Sequence, residues 1–447
     1  MATRRAAALD IWMNGLFVGQ WRRSAGGRAV LVYASEWMAD EQGRPLSLSL
    51  PFGGGAALRG ATVAAYFDNL IPDNEQILRR LQERHRLRST RAFDLLAELG
   101  RDCAGAVQLL PEGERPDEHR RIEAETLTEA QVAALLRNTV RADPLGLESK
   151  DGFRLSIAGT QEKTALLWHR KRWCRPRGAT PSTHIFKLPL GLVANVQADM
   201  CDSAELEWLS LEILREFGLP VAQAQIGRFE NQKVLIIERF DRRLAPDRKW
   251  WMRIPQEDFC QVAGLPPTRK YEAEGGPGMA RIMQILRSSE SAQQDRRTFF
   301  SAQFLFWLMA ATDGHAKNFS LTIGPRGCYR MTPLYDVVSV HPITGRRNNQ
   351  LDPRRLKLAM AVEGANRHYR LQRLQDIHRW HWVDMGRRLG LPEAAELIGG
   401  LAERTPAVLE AVGARLPDDF PLYLYNAVCE GMLEFRRRFL AEPERRG

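Results

Sequence analysis

The sequence predicts an α+β protein with a strand-bearing first half and a mostly helical second half. Three observations carry this reading. Up to about Pro255, runs of β-branched and aromatic residues alternate with turn residues, as strands require. After Pro255 the composition turns helical and stays so to the C-terminus. Between Phe304 and Ala311 the chain is almost wholly apolar, then breaks into Thr312-Asp313-Gly314-His315-Ala316-Lys317-Asn318. A run apolar on all sides reads as a helix sunk in a core, so the polar loop after it is delivered from that core to a cleft.

The elements follow in order. Leu9 to Trp21 is a strand pair around Asn14-Gly15, a strong hairpin signal, and Val30 to Tyr33 continues in the same style. Pro45 to Pro51 alternates Leu with Ser, the pattern of a half-buried strand. Gly53-Gly54-Gly55 has no Lys-Ser/Thr after it and reads as a plain turn. Ala61 to Leu70, Asn74 to Arg84 and Ala92 to Gly100 read as helices, and Asp102 to Pro111 as a strand. Pro111 to His119 is a surface connection. Thr126 to Leu136 is a helix, with Thr128 and Gln131 as a capping box. Arg154 to Ile157 and Thr164 to Trp168 are strands flanking a loop of small and polar residues. His184 to Leu188 is a strand, Ser203 to Phe217 a helix, and Val221 to Phe229 and Lys233 to Ile237 two further strands. Gln256 to Ala263, Gly278 to Leu286, Arg297 to Ala311, Trp380 to Leu389, Pro392 to Gly400, Pro406 to Arg415 and Leu422 to Arg438 all look helical. Pro342 to Leu351 and the arginine-dense stretch from Arg367 to Arg388 are placed on the surface.

The chain has 447 residues, enough for two or three domains. Boundaries are placed at 1–110, 111–258 and 259–447. No segment approaches the roughly 18 unbroken apolar residues of a membrane span, and no signal-type run follows Met1 to Leu9, so a cytoplasmic protein without membrane contact is expected. The six cysteines are scattered without C-x-x-C spacing and the nine histidines form no H-E-x-x-H, which argues against a zinc site or a disulfide framework. A net charge of +10 suits an anionic ligand or partner, although an arginine-rich composition gives the same figure by itself.

Chemistry concentrates after the apolar run. Asp313 is followed five residues later by Asn318. A strand pair, Phe319 to Ile323 and Cys328 to Met331, then leads to Tyr335-Asp336. A carboxylate to accept a hydroxyl proton, an Asn to hold a metal and a second Asp to bridge metal and phosphate is the order of a phosphoryl-transfer site. Hard Mg²⁺ takes such oxygen ligands and keeps several waters. Upstream, Lys187 sits inside an apolar strand, where its ammonium needs a partner or a route to solvent. Glu207 on the following helix is its expected partner, with Glu205 and Glu212 as rivals; a strand lysine paired to a helix glutamate holds nucleotide phosphates in kinases. The loop Ala158-Gly159-Thr160-Gln161-Glu162-Lys163 could lay backbone N–H groups on phosphates. Glu238-Arg239-Phe240 stands where a hinge would meet adenine, or is simply a salt-bridged strand end.

Leu155 to Thr164, His184 to Pro189, Glu238 to Asp241, Pro255 to Asp258, Lys270-Tyr271-Glu272 with Gly275-Gly276-Pro277-Gly278, Ala311 to Asn318 and Tyr335-Asp336, together with Phe67 to Asp73, resemble the HipA-type serine/threonine kinase toxins over nearly the whole chain. The resemblance implies a two-lobed, protein-kinase-like fold with a mixed α/β N-lobe and a mostly helical C-lobe. It implies ATP and Mg²⁺ as cofactors, and protein targets in translation such as aminoacyl-tRNA synthetases. It implies a HipB-like helix-turn-helix antitoxin dimer as partner, and operator DNA through that complex. It places the proton acceptor at Asp313 and the metal at Asn318 and Asp336. Nucleotide contacts fall on Ala158, Gly159, Thr160, Gln161, Glu162, Lys163, Lys187, Glu238, Arg239, Phe240, His315, Ala316, Lys317, Asn318, Tyr335 and Asp336. Self-phosphorylation is implied at Ser156. The sequence lacks the H-R-D and D-F-G of eukaryotic kinases. A rival from another class is a non-catalytic, antitoxin-bound corepressor on operator DNA, suggested by the arginine density and net charge.

Overall fold

The structure is a computed structural model and describes residues 8–24, 26–53, 57–116, 119–140, 161–193, 198–347, 349–364 and 369–443. The chain divides into two compact units: Met1–Leu188, Gly227–Arg269 and Ser320–Tyr329 form one, and Pro189–Ile226, Lys270–Phe319 and Arg330–Gly447 the other. Among the described residues no helix is long and apolar enough to cross a membrane.

In the first unit, Ala8–Met13 and Leu16–Arg23 pair around Asn14 (φ 48°) and Gly15 (φ 83°). Both residues take the left-handed conformation that tight two-residue hairpins demand. An antiparallel sheet grows from this hairpin in the order Leu58–Arg59, Ala29–Tyr33, Leu16–Arg23, Ala8–Met13, Val107–Pro111. Helices Ala61–Asp68 and Ala92–Leu99 cover one face and bring Phe67 and Phe93 to Trp21, the first stacked at 3.8 Å between centroids and the second edge-on at 4.9 Å. Helix Glu75–Arg84 starts where Asn74 accepts the Gln76 and Ile77 N–H groups.

A second sheet of this unit sets Gln232–Glu238, His184–Lys187, Lys163–His169, Arg172–Pro176 and Ala124–Thr126 side by side. Helix Glu129–Val140 packs Val132, Ala133 and Leu136 with the sheet's Leu166, Phe186, Val234 and Ile236. The expected capping box forms: Thr128 N–H donates to Gln131 at 2.8 Å and Gln131 N–H to Thr128 Oγ1 at 3.2 Å. The expected strand Arg154 to Ile157 lies outside the described residues.

Two expectations fail here for a shared reason. Pro45 to Pro51 forms no strand. Its Leu46 and Leu50 are buried, but so is Ser47. Side chains rather than a neighbouring strand hold its backbone, with Leu46 N–H on the Tyr33 hydroxyl and Leu48 N–H on Glu257, each at 2.9 Å. Conversely, Gln256–Asp258, expected as helix, is a strand pairing antiparallel with Ser320–Thr322. The helix starts only at Phe259, behind a capping box between Asp258 and Gln261. In both places a distant partner for the backbone overrides local pattern.

The second unit is built on helix Ala292–Leu308, surrounded by Ser203–Glu216, Met279–Ile285, Arg379–Arg388, Ala394–Gly413 and Leu422–Ala441. Phe304, Trp307, Trp382 and Phe439 form a ring cluster, edge-to-face except for the tilted Phe304–Trp307 pair, with centroid separations of 5.0–6.4 Å. The stretch Arg367 to Arg388 is therefore not all surface, because Trp382, Val383 and Met385 are buried. A hairpin of Lys357–Glu363 and Arg370–Arg373 interrupts the helical half, where none was expected. The two helices expected on either side of Pro406 are one, Ala394–Gly413. A mid-helix proline orphans the carbonyl four residues back. That carbonyl, Ala402 C=O, receives Arg436 Nε at 2.8 Å, so the helix continues through Pro406.

Candidate active site

The site is built at the C-terminal end of helix Ala292–Leu308. Ala311 N–H donates to Phe306 C=O at 2.8 Å and Ala310 N–H to Trp307 C=O at 3.2 Å. These are the two bonds of a Schellman stop, whose extra residue takes the left-handed conformation. Glycine usually fills that place; here it is Ala310 (φ 48°), with its methyl fully buried.

The helix's last carbonyls are taken by one short segment. Ser339 Oγ donates to Met309 C=O at 2.6 Å, His341 Nε2 bonds Leu308 C=O at 3.0 Å, and Val340 N–H donates to Ala310 C=O at 3.2 Å. Asp313 stands three residues beyond Ala310 and Asp336 three residues before Ser339. One joint thus sets both carboxylates. Helix Ser203–Glu216 docks at the same joint, where Ser210 Oγ accepts Ser339 N–H at 3.1 Å.

Asn318 completes the link. Its Nδ2 donates to the Asp313 carbonyl at 2.8 Å and to the Asp336 carbonyl at 3.3 Å. Asp336 is held at φ 60°, a conformation Asp tolerates better than most residues and one that clusters at functional sites. His315 is buried, Nδ1 makes no hydrogen bond, and burial pushes its pKa down, against the opposing pull of Asp313 and Asp336. The imidazole is therefore neutral at pH 7. Ala316 N–H reaches Lys270 C=O at 3.1 Å and Tyr335 Oη donates to Lys317 C=O at 2.8 Å, so these residues brace the loop through backbone groups. Tyr271, in a motif to which sequence reasoning gave no role, donates from Oη to Asp313 Oδ1 at 2.5 Å.

Of the three candidate glutamates on helix Ser203–Glu216, Glu212 is engaged by Arg215 on its own helix. Glu205 and Glu207 are both buried. Glu205 acts electrostatically on Tyr423, near Asp202. Glu207, one turn before Ser210, shares the face turned to the Ser339 joint.

In the first unit, Lys187 lies directly opposite Lys163 across antiparallel strands. Opposed residues share a face of the sheet, so two lysines rise from the same face. Lys187 is buried. Glu162 is committed to an ion pair with Arg80, and Gln161 Nε2 donates to Leu188 C=O at 2.5 Å. Ser156, Ala158, Gly159 and Thr160 lie outside the described residues. Glu238 ends its strand exposed, opposite His184, and Phe240 is half-buried. The Arg239 guanidinium is buried between Asp241 (2.8 Å) and Asp102 (3.4 Å). The salt-bridged strand end describes that side chain correctly, since its donors are consumed inside the fold.

The residues at the joint fit a hard divalent cation. With Nδ2 of Asn318 tied to two carbonyls, its Oδ1 faces the other way, and the Asp336 side chain is an oxygen donor of the type such a cation would take. Two protein oxygen ligands, completed by phosphates and water, are a usual complement for Mg²⁺.

Two family models match the chain, the HipA N-terminal domain over residues 9–110 and the HipA-like C-terminal domain over residues 155–409. Curated relatives include "Putative kinase Y4mE" of Sinorhizobium fredii, 31% identical with 94% of each chain covered. They also include the serine/threonine-protein kinase toxin HipA of Shewanella oneidensis, 30% identical over 76% of this chain and 77% of that one. Among solved structures, the Shewanella oneidensis MR-1 toxin–antitoxin complex of HipA, HipB and operator DNA matches with a TM-score of 0.77 at 24% identity, covering 97% of each chain. The α+β, kinase-like fold expected from the sequence is the fold found.

Proposed function

We propose that this chain, which belongs to the HipA family, is an ATP-dependent serine/threonine protein kinase and the toxin of a toxin–antitoxin module. The observation that supports this most is the Asn318 amide, which ties the backbone of Asp313 to that of Asp336. In the proposed reaction a serine Oγ attacks the γ-phosphorus, the bond to the β,γ-bridging oxygen breaks, ADP leaves, and the serine proton passes to Asp313. Asp313 orients the hydroxyl, and Lys187 with Lys163 and the backbone of Ala158 to Lys163 hold phosphates. Neutral His315 offers a ring nitrogen, and the backbone of Glu238 to Phe240 meets adenine. Mg²⁺, held by Asn318 and Asp336, would supply charge neutralisation on the phosphates. Most of the rate enhancement is then positioning and electrostatics.

The HipA–HipB–operator DNA complex that the fold matches supports a HipB-like antitoxin and operator DNA as partners. From the sequence resemblance alone we add that the antitoxin is a helix-turn-helix dimer, that the protein target lies in translation and that the chain acts in the cytoplasm. A phosphate on Ser156 would add about two negative charges to a loop meant for ATP phosphates, and so switch the enzyme off.

One experiment addresses these points. With labelled ATP and cell lysate, the wild-type chain should label protein, and Asp313→Ala or Asp336→Ala should lower the rate at least ~10²-fold. Either variant within about threefold of wild type would remove its residue from the reaction, given how steeply misplacement acts. Mass spectrometry of the same mixture reads Ser156, where no phosphate, or full activity with one, removes the switch. Steep salt dependence of DNA binding by the isolated chain without any transfer would favour the corepressor instead. Against that reading, Arg370 pairs with Glu272, Arg379 lies over the Phe439 ring, and Arg388 donates to Glu363 C=O.

A further inference from the structure

The motif Lys270-Tyr271-Glu272 with Gly275-Gly276-Pro277-Gly278 has no part in the reaction described above, yet its geometry points at the proposed base. We infer that Tyr271 is a positioning residue: its phenol fixes the Asp313 carboxylate in one rotamer, so that Oδ2 is presented to the acceptor hydroxyl. The inference rests on the kinase reading of the site.

Asp313 needs such a brace. Its backbone is held, because its carbonyl accepts His315 N–H and Asn318 Nδ2, both at 2.8 Å. Its side chain is exposed, and an exposed carboxylate on a fixed backbone still turns about two side-chain torsions. Tyr271 Oη, at 2.5 Å from Oδ1, removes that freedom and leaves Oδ2 for a second donor, since an ionised carboxylate accepts on both oxygens.

Tyr271 can do this because it is itself anchored. Its carbonyl accepts Glu274 N–H at 3.0 Å and Gly276 N–H at 2.9 Å, closing a single turn around it. The next residue, Glu272, pins that turn to the hairpin strand Lys357–Glu363 through Ala361 N–H at 2.6 Å and to Arg370 at 2.9 Å. Gly278 lets Glu272 sit close, since a Cβ there would lie 2.3 Å from its carboxylate and would displace it. Lys270 C=O takes Ala316 N–H from the Asp313 loop at 3.1 Å, and the Tyr271 ring stands edge-on to His315 at 5.0 Å. The turn and the loop are thus one rigid clip, and a phenol on a fixed mount serves to orient rather than to open and close.

The test compares wild type, Tyr271→Phe and Asp313→Asn, measuring label transfer from ATP to lysate protein, ATP affinity by calorimetry and the thermal midpoint. The isosteric Tyr271→Phe should cut kcat about 10- to 100-fold while KM for ATP, ATP affinity and midpoint stay put, since only orientation of the base is lost. Transfer by Tyr271→Phe at the wild-type rate, with Asp313→Asn inactive, would overturn this inference alone. Loss of ATP binding or a lowered midpoint in Tyr271→Phe would mark the residue as structural and equally overturn it. A wild-type chain that transfers nothing, indistinguishable from Asp313→Asn, would overturn the kinase reading and this inference with it.

Discussion

Glu257 illustrates what one residue's surroundings do. It is wholly buried, one oxygen accepts Leu48 N–H at 2.9 Å, and the other has no partner. Burial pushes its pKa from 4.5 up to about 8. A raised carboxyl pKa means the folded state holds a proton that the unfolded state has released. Stability therefore falls as pH rises through that window, by on the order of 5 kcal/mol if the whole shift is expressed. Glu257→Gln should flatten this slope and be relatively more stable than wild type at pH 8 than at pH 5. Urea midpoints at the two pH values check it, and identical slopes would show that Glu257 ionises freely. The sequence shows this glutamate only as one charge in Pro255-Gln256-Glu257-Asp258, because burial is not a local property.

At the scale of elements, most helices and strands were legible because their causes are local. Asn14-Gly15 makes its hairpin, Asn74 and Thr128 start their helices, and the apolar run of Ala292–Leu308 buries itself. Pro406 misled for an instructive reason. It should end a helix, but Arg436 arrives from thirty residues downstream to satisfy the carbonyl the proline leaves open. Arg436→Ala should cost about 1–3 kcal/mol in the wild-type background, the penalty of an unsatisfied buried acceptor. In a Pro406→Ala background, where a backbone N–H is restored, it should cost much less. A double-mutant cycle by chemical denaturation measures the coupling, and strictly additive effects would rule out the repair.

At the scale of the molecule, five residues from three stretches of the sequence form one buried ion network in the first unit. Asp102 and Asp241 face Arg239, Arg242 and Arg253. Burial alone would raise the Asp102 pKa, but the three guanidiniums and the Ser182 hydroxyl hold it well below the usual carboxylate range. Its contribution is present above the ordinary Asp pKa and is lost as pH falls below it. Asp102→Asn should destabilise the unit by roughly 3–5 kcal/mol at neutral pH, because it leaves buried guanidiniums without their charge partner. A calorimetric midpoint unchanged from wild type would show that the network is dispensable. The network also explains why Arg239 could not be placed from the sequence. The Glu-Arg-Phe-Asp run shows Asp241 beside Arg239, but the second carboxylate, Asp102, stands 137 residues away.

By itself, the sequence determined where most elements begin and end, and which loop carries Asp313, His315 and Asn318. Those features depend on residues within a turn or two of each other. Only the tertiary structure decided that Ser339 and His341 cap the helix behind that loop and that Tyr271 grips Asp313. A buried polar group must find a partner, and which partner it finds is set by long-range packing rather than by its neighbours along the chain.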